Sequence, residues 1–281
     1  MDILLPNNVL AHGVRLEIGN DSEQIEPLRL DRLRLGSDVT LHVEEGAHVC
    51  VLDVFPERRG AGTETLSVSV APHAELVIVS IVPPQRLSPI HVVQRSTVAA
   101  WGKIHWWNAT FGGGTVHHDL VSEVVGEDGE STVDWIYFAQ GKQQYDLSVQ
   151  NVFRSSRGKG EVTVKGVAGD HAHVACHGAI VIGEGGSGTS THLTQHMLML
   201  DATAKVDAIP ALEIKTNDVK ASHSATVTKV SEEDLFYVTS RGLLPKEARQ
   251  IYIDGFLGEL IARIPVVPMW NEVIQILGRE K

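Results

Sequence analysis

Short runs of alternating apolar and polar residues dominate the chain from about residue 38 to residue 230. Examples are Val49-Cys50-Val51-Leu52-Asp53-Val54, Glu75-Leu76-Val77-Ile78-Val79, Lys103-Ile104-His105-Trp106-Trp107, Thr132-Val133-Asp134-Trp135-Ile136-Tyr137, Glu161-Val162-Thr163-Val164 and Lys205-Val206-Asp207-Ala208-Ile209. Period-two patterning of this length predicts β-strands. Small or turn residues open these runs, at Ala47, Ala74, Gly102, Ser131 and Gly160, with separations of 27, 28, 29 and 29 residues. The next openers, Ala172 and Ala204, follow 12 and then 32 residues later. A near-constant period predicts a solenoid, whose stacked turns share one apolar core. No run between residues 40 and 230 has helical periodicity and length, which argues against βαβ units. The expected fold is therefore mainly β: a right-handed parallel β-helix occupying residues 1–230, with about 35 irregular residues at its start. A β-sandwich would give the same local alternation and is the competing reading.

The pattern changes after residue 230. Ser231 followed by Glu232, Glu233 and Asp234 suits a helix N-terminus, where a hydroxyl caps and carboxylates meet the positive end of the dipole. Leu235, Phe236 and Val238 supply an apolar face, and Gly242 after Arg241 suits a C-cap. Pro245 opens a second helix. Ala248, Ile251, Tyr252, Phe256 and Leu260 form its apolar stripe. Pro265 and Pro268 break the chain, and residues 269–278 have the makings of a last short helix. This helical appendage, 231–281, either caps the solenoid or docks a partner.

Length and composition narrow the classes. The chain has 281 residues, 43% of them hydrophobic, enough for a substantial core. Its longest apolar stretch, Leu76 to Val82, is far short of the ~20 residues of a spanning helix. The first residues, Met1 to Asn7, lack the basic region and apolar run of a signal peptide, so the expected compartment is the cytoplasm. A net charge of −11 without a basic run argues against nucleic-acid binding. Two cysteines, Cys50 and Cys176, give no disulfide framework. Fourteen histidines are many, and His171, His173, His177, His192 and His196 fall within 26 positions.

Few motifs carry chemistry. Gly183-Glu184-Gly185-Gly186-Ser187-Gly188 matches G-x-G-x-x-G, but the residues after it do not open a helix to hold a pyrophosphate. There is no G-x-x-x-x-G-K-[ST], H-E-x-x-H, C-x-x-C or G-x-S-x-G in the sequence. Cys176, beside His177, is either a thiolate ligand or a buried small apolar residue. Gln195-His196 and the isolated His223, between small residues, are the other candidates.

The residues from Pro210 onward carry a resemblance. They read Pro210-Ala211-Leu212-Glu213-Ile214, then Asn217-Asp218-Val219 and Ala221-Ser222-His223-Ser224-Ala225-Thr226. Leu235-Phe236-Tyr237, Ser240-Arg241-Gly242 and Gly255-Phe256 follow in order. This succession resembles the SufB/SufD scaffold family of the SUF iron–sulfur cluster assembly system, and the chain looks like a short, SufD-like or ancestral-type member. The resemblance implies a parallel β-helix without turnover of its own. It implies pairing with an identical or related chain through the β-helices, and a helical segment docking an ABC-type ATPase (SufC-like). The implied cofactor is a transient iron–sulfur cluster or Fe(II) at the pairing interface. The box histidine maps onto His223. Ser224 stands where SufB has a Glu, and His196 stands after Thr194-Gln195 where SufB has its interface Cys. The cluster candidates are accordingly His223, His196, Cys176 and Glu213. The docking candidates are Leu235, Phe236, Tyr237, Arg241, Phe256 and Leu260. Two alternatives remain: a SufD-like structural partner carrying no cluster, and, more remotely, a β-helix enzyme acting on polysaccharide.

Overall fold

The computed structural model describes residues 14–18, 27–264 and 274; for 14–18, Glu232, Asp234 and Leu235 only the backbone is described. Sixteen strands form two eight-stranded sheets, one of odd-numbered and one of even-numbered strands. The odd sheet holds β1 (Val14–Ile18), β3 (Asp38–Val43), β5 (Gly62–Val70), β7 (Ile90–Val98), β9 (Thr115–Val124), β11 (Gln144–Phe153), β13 (His173–Ile182) and β15 (Lys205–Ile214). The even sheet holds β2 (Leu28–Leu30), β4 (His48–Val54), β6 (Glu75–Val82), β8 (Lys103–Thr110), β10 (Glu130–Ala139), β12 (Lys159–Ala168), β14 (Ser190–Met199) and β16 (Lys220–Lys229). Each strand pairs in parallel with the strand two places on, for example Glu75 with Lys103 and Glu130 with Lys159. The chain thus winds as a parallel β solenoid, one odd and one even strand per coil. A four-residue helix, α1 (Arg32–Leu35), lies between β2 and β3, and two helices follow β16.

The openers explain the period and its irregularity. Ala47, Ala74 and Gly102 precede register partners His48, Glu75 and Lys103 on the even sheet. Gly102 is matched by Gly129, because Ile104 pairs with Ser131, so the opener read at Ser131 lies two residues into β10. Ala172 and Ala204 precede His173 and Lys205 on the odd sheet. The 12-residue jump is therefore a change of sheet.

One corner of the solenoid is a stack of left-handed residues. Gly46, His73, Trp101, Asp128, Arg157 and Gly188 all have φ between 54° and 78°. Each donates its backbone N–H to a carbonyl of the next coil: His73 to Ala100, Trp101 to Glu127, Asp128 to Ser156 and Arg157 to Ser187. The unusual conformation of four non-glycine residues is offset by this ladder, which satisfies a corner N–H in every coil. The loop at 183–188 turns from β13 into β14, a strand and not a helix.

Inward side chains from the two sheets interdigitate into one apolar core from Leu30 to Ala204. Within it runs a polar lane. Gln94 Oε1 accepts from Asn108 Nδ2 at 3.0 Å and lies 3.0 Å from His118 Nε2. Ser131 Oγ contacts Ser122 and Asn151.

Part of the outer face of the even sheet is buried as well. Helix α2 (Glu232–Thr239) leads to α3 (Pro245–Ile261), whose Ile253, Leu257, Leu260 and Ile261 pack on Leu52, Val79, Ile81, Trp107, Ile136, Val167 and Leu198. Trp107 Nε1 donates to the Leu260 carbonyl at 3.2 Å. Charges fasten the same contact: Arg263 to Asp134 at 3.3 Å and to Glu161 at 3.2 Å, Arg249 to Asp201 at 2.8 Å, and Lys165 to Glu259. Ser231 and Pro245 stand where the sequence places helix starts. Gly242, at φ 94°, donates its N–H to the Thr239 carbonyl after α2. The last short helix expected over 269–278 lies outside the described residues except Ile274, which is helical and packs on the same cluster. No described helix is long and apolar enough to cross a membrane.

Candidate functional site at the open end

The last coil has no successor among the described residues. Strand β15 pairs only with β13, and β16 only with β14, so each leaves a strand edge unpaired. Ile209, Ile214 and Val227 are exposed on these two strands. An open edge with exposed apolar side chains is a surface on which another chain can continue the sheet.

Side-chain parity decides what this end presents. Leu193, fully buried, is the register partner of His223. His223 therefore stands in an inward-facing row of β16, exposed because no further coil covers it. Gln195 pairs with Ala225 in the same direction and is buried. Its Nε2 donates to the Cys176 carbonyl at 3.1 Å and lies 3.4 Å from Cys176 Sγ. Cys176 and Gln195 thus join the two sheets one coil below the strand of His223. Beneath them Tyr137 Oη donates to Met197 Sδ at 2.8 Å.

Burial pushes the Cys176 thiol up to about 12, against a small opposing effect of Gln195. The thiol is therefore protonated at neutral pH, whereas cluster ligation requires the thiolate. His196 faces the other way. It pairs with Lys165 and Thr226 on the outer surface of the even sheet, near Glu259 of α3, whose carboxyl is lowered chiefly by its hydrogen bond with Lys165 and only slightly by His196. Glu213 is exposed on the outer surface of β15, 3.1 Å from Lys215. The four cluster candidates thus divide: Cys176 and His223 point to the interior end, His196 and Glu213 to the outer surfaces. Among the described residues, no three His, Cys, Asp or Glu side chains are arranged to hold a metal ion. Gln195, the residue that contacts the thiol, has ordinary sequence surroundings; only the sheet register distinguishes it from His196.

The docking candidates divide as well. Phe236 is 73% and Tyr237 59% exposed, with the Arg241 guanidinium 4.4 Å from the Tyr237 ring centre and bonded to its hydroxyl. Leu260 is buried against the solenoid, and Phe256 is half-buried under Lys165, whose Nζ lies 5.5 Å from the ring centre. The side chain of Leu235 lies outside the described residues. Leu244 and Ile251 join the outward group at 65% and 51% exposure. Of the stripe expected on α3, Ala248 and Leu260 are buried against the chain and Tyr252 and Phe256 partly so, while Ile251 faces out with Leu244 and the exposed residues of α2.

A family profile described as SUF system FeS cluster assembly, SufBD core domain, matches residues 33–256. The chain belongs to the SufBD core family of the SUF iron–sulfur cluster assembly system. It is 26% identical over 178 residues to the iron–sulfur cluster assembly protein SufD of Bacillus subtilis, covering 63% of this chain and 41% of that one. It is 29% identical over 179 residues to an iron–sulfur cluster assembly SufBD family protein of Mycobacterium leprae, covering 61% and 46%. A SufBD family protein of Mycobacterium tuberculosis H37Rv is 24% identical over 219 residues, covering 78% and 26%. The chain spans less than half the length of these relatives.

Proposed function

We propose that this chain is an assembly scaffold that pairs through its open end with a second SufBD-type chain and carries an ABC-type ATPase on its helical tail. The observation that carries this reading is the terminal coil, with two unpaired strand edges and His223 exposed in an inward-facing row. A partner coil laid on β15 and β16 would enclose His223 between two chains. A two-fold pairing would bring two copies of this imidazole to one interface. Imidazole replaces thiolate on some irons of iron–sulfur centres and also binds Fe(II). The iron or nascent cluster is cargo held there transiently. The exposed surface of Phe236, Tyr237, Leu244 and Ile251 is the ATPase contact in this reading.

A second reading, a SufD-like structural partner that carries no cluster, is favoured by one specific observation. The only described thiol at this end, Cys176, is buried, and burial raises its pKa away from the thiolate form. Anaerobic purification from the native cell, with iron and sulfide assays on the complex, separates the two. The first reading expects an ABC-type ATPase in near-equal amount with bound iron, and His223→Ala lowering that iron several-fold with the complex intact. ATPase without iron, or iron indifferent to His223→Ala, selects the structural partner. No ATPase at all sinks the docking assignment.

A further inference from the structure

The outer face of the odd sheet is uncovered among the described residues and holds a continuous line of histidines and aspartates. His91, His117 and Asp146 are register partners on the successive strands β7, β9 and β11. The strands are about 4.8 Å apart, so outward side chains in one row are neighbours. Asp119 stands two residues along β9, and His177 on β13 shares its row. His91 Nε2 is 3.0 Å from Asp119 Oδ2. His117 Nδ1 and His177 Nε2 are each 3.5 Å from an oxygen of Asp146. The rings of His91 and His117 lie edge to face, with centres 6.2 Å apart.

Two features of this line matter chemically. Each imidazole has one nitrogen directed at a carboxylate, which favours a proton on that nitrogen and leaves a lone pair on the other. Metal-ligating histidines are held in the same way, by a carboxylate behind the ring. Secondly, a tetrahedral metal 2.0–2.1 Å from each of two imidazole nitrogens sets the ring centres roughly 5 Å apart. The observed 6.2 Å is about 1 Å wider, so binding requires the two exposed rings to rotate toward each other. Nδ1 of His91 and Nε2 of His117 have no partner among the described residues. All four side chains, His91, His117, Asp119 and Asp146, are between 43% and 58% exposed, so an ion has free access.

We propose that His91 and His117 form a two-imidazole site for a borderline first-row divalent ion of the zinc type, completed by water. Asp119 and Asp146 act as positioning residues that fix the tautomers. The site is on the outer face of the odd sheet, separate from the open end, and does not depend on the assembly reading.

Zinc alone is the probe, titrated against a chromophoric chelator with the whole chain. Wild type is expected to bind one zinc saturably in the micromolar range, and His91→Ala or His117→Ala to weaken it by at least about tenfold. Asp146→Asn is expected to weaken it about threefold or more by releasing the His117 tautomer. His173→Ala, whose ring pairs with Asp207 at 3.4 Å, serves as control and is expected to leave the affinity unchanged. Circular dichroism of each variant checks that these exposed substitutions leave the β fold intact. Wild-type protein without saturable binding, or a zinc retained at full affinity in both His91→Ala and His117→Ala, overturns the site. Equal weakening by His173→Ala overturns it too, since it shows diffuse histidine binding.

Discussion

Deletion of residues 231–281 is expected to leave a solenoid that melts on the order of 10 °C lower and self-associates. From sequence the same truncation is expected to remove a partner site and spare the β body. The packing changes that expectation. Ala248, Ile253, Leu257, Leu260 and Ile261 are all buried, and what they cover is a contiguous apolar surface that includes the fully buried Trp107 and Ile136. Each large aliphatic side chain returned to water costs about 1.5–3 kcal/mol. The truncation also removes Arg263 from Asp134, a carboxylate with 1% exposure whose other close partner is His105 at 3.0 Å. The truncation opens this carboxylate to water as well, so the lost ion pair adds less than the lost apolar packing. Thermal melting and size-exclusion chromatography check this: a monomeric body with an unchanged melting point would show that the tail is only a docking element. The double variant Phe236→Ala, Tyr237→Ala provides the contrast. Both side chains are exposed, so melting should stay within a degree or two while any partner contact through α2 weakens.

The same double burial explains what the sequence revealed. Strands quoted for their apolar runs, such as Glu75-Leu76-Val77-Ile78-Val79 and Thr132 to Tyr137, belong mostly to the even sheet, packed on both faces. A strand buried on both faces shows near-continuous apolar runs and is easily recognised. Odd strands such as β9, with His117 and Asp119 outward, alternate with polar residues and were less conspicuous, so the period came chiefly from one sheet. Family membership was legible because the motifs from Pro210 to Phe256 are contiguous in sequence. The geometry of the end was not. Whether Gln195 or His196 faces Cys176 depends on register, and a one-residue slip inverts every side chain in a strand. Likewise the stripe of α3 announced an apolar face without saying whether that face meets the chain itself or a partner.

Acidification from pH 7 to pH 5 is expected to cost the fold about 2 kcal/mol through one residue, His118. Its ring is buried in the polar lane, 4.3 Å from the Trp135 ring centre, and burial lowers its pKa from 6.5 to about 3, with a smaller contribution from His91. Gln94 Oε1 receives the Asn108 amide, so it is the acceptor for a neutral His118 with its proton on Nε2. Nδ1 has no partner in the core, and a second proton there would meet no acceptor. The sign follows from linkage. The unfolded histidine takes up a proton below about pH 6.5 while the folded one resists until about pH 3, so the unfolded state binds more protons in that window. Stability is fully present above pH 6.5 and falls as pH drops toward 3, with a limiting slope of about 1.4 kcal/mol per pH unit. Urea unfolding at pH 7 and pH 5 measures the change. The other histidines titrate in the same range, so the informative quantity is the difference between wild type and His118→Gln. The variant keeps a hydrogen-bonding side chain but cannot ionise, so its loss between the two pH values should be smaller by about 2 kcal/mol. Equal losses in both proteins would show that His118 becomes protonated in the folded state, and hence that the lane around Gln94 and Asn108 admits water to the centre of the solenoid.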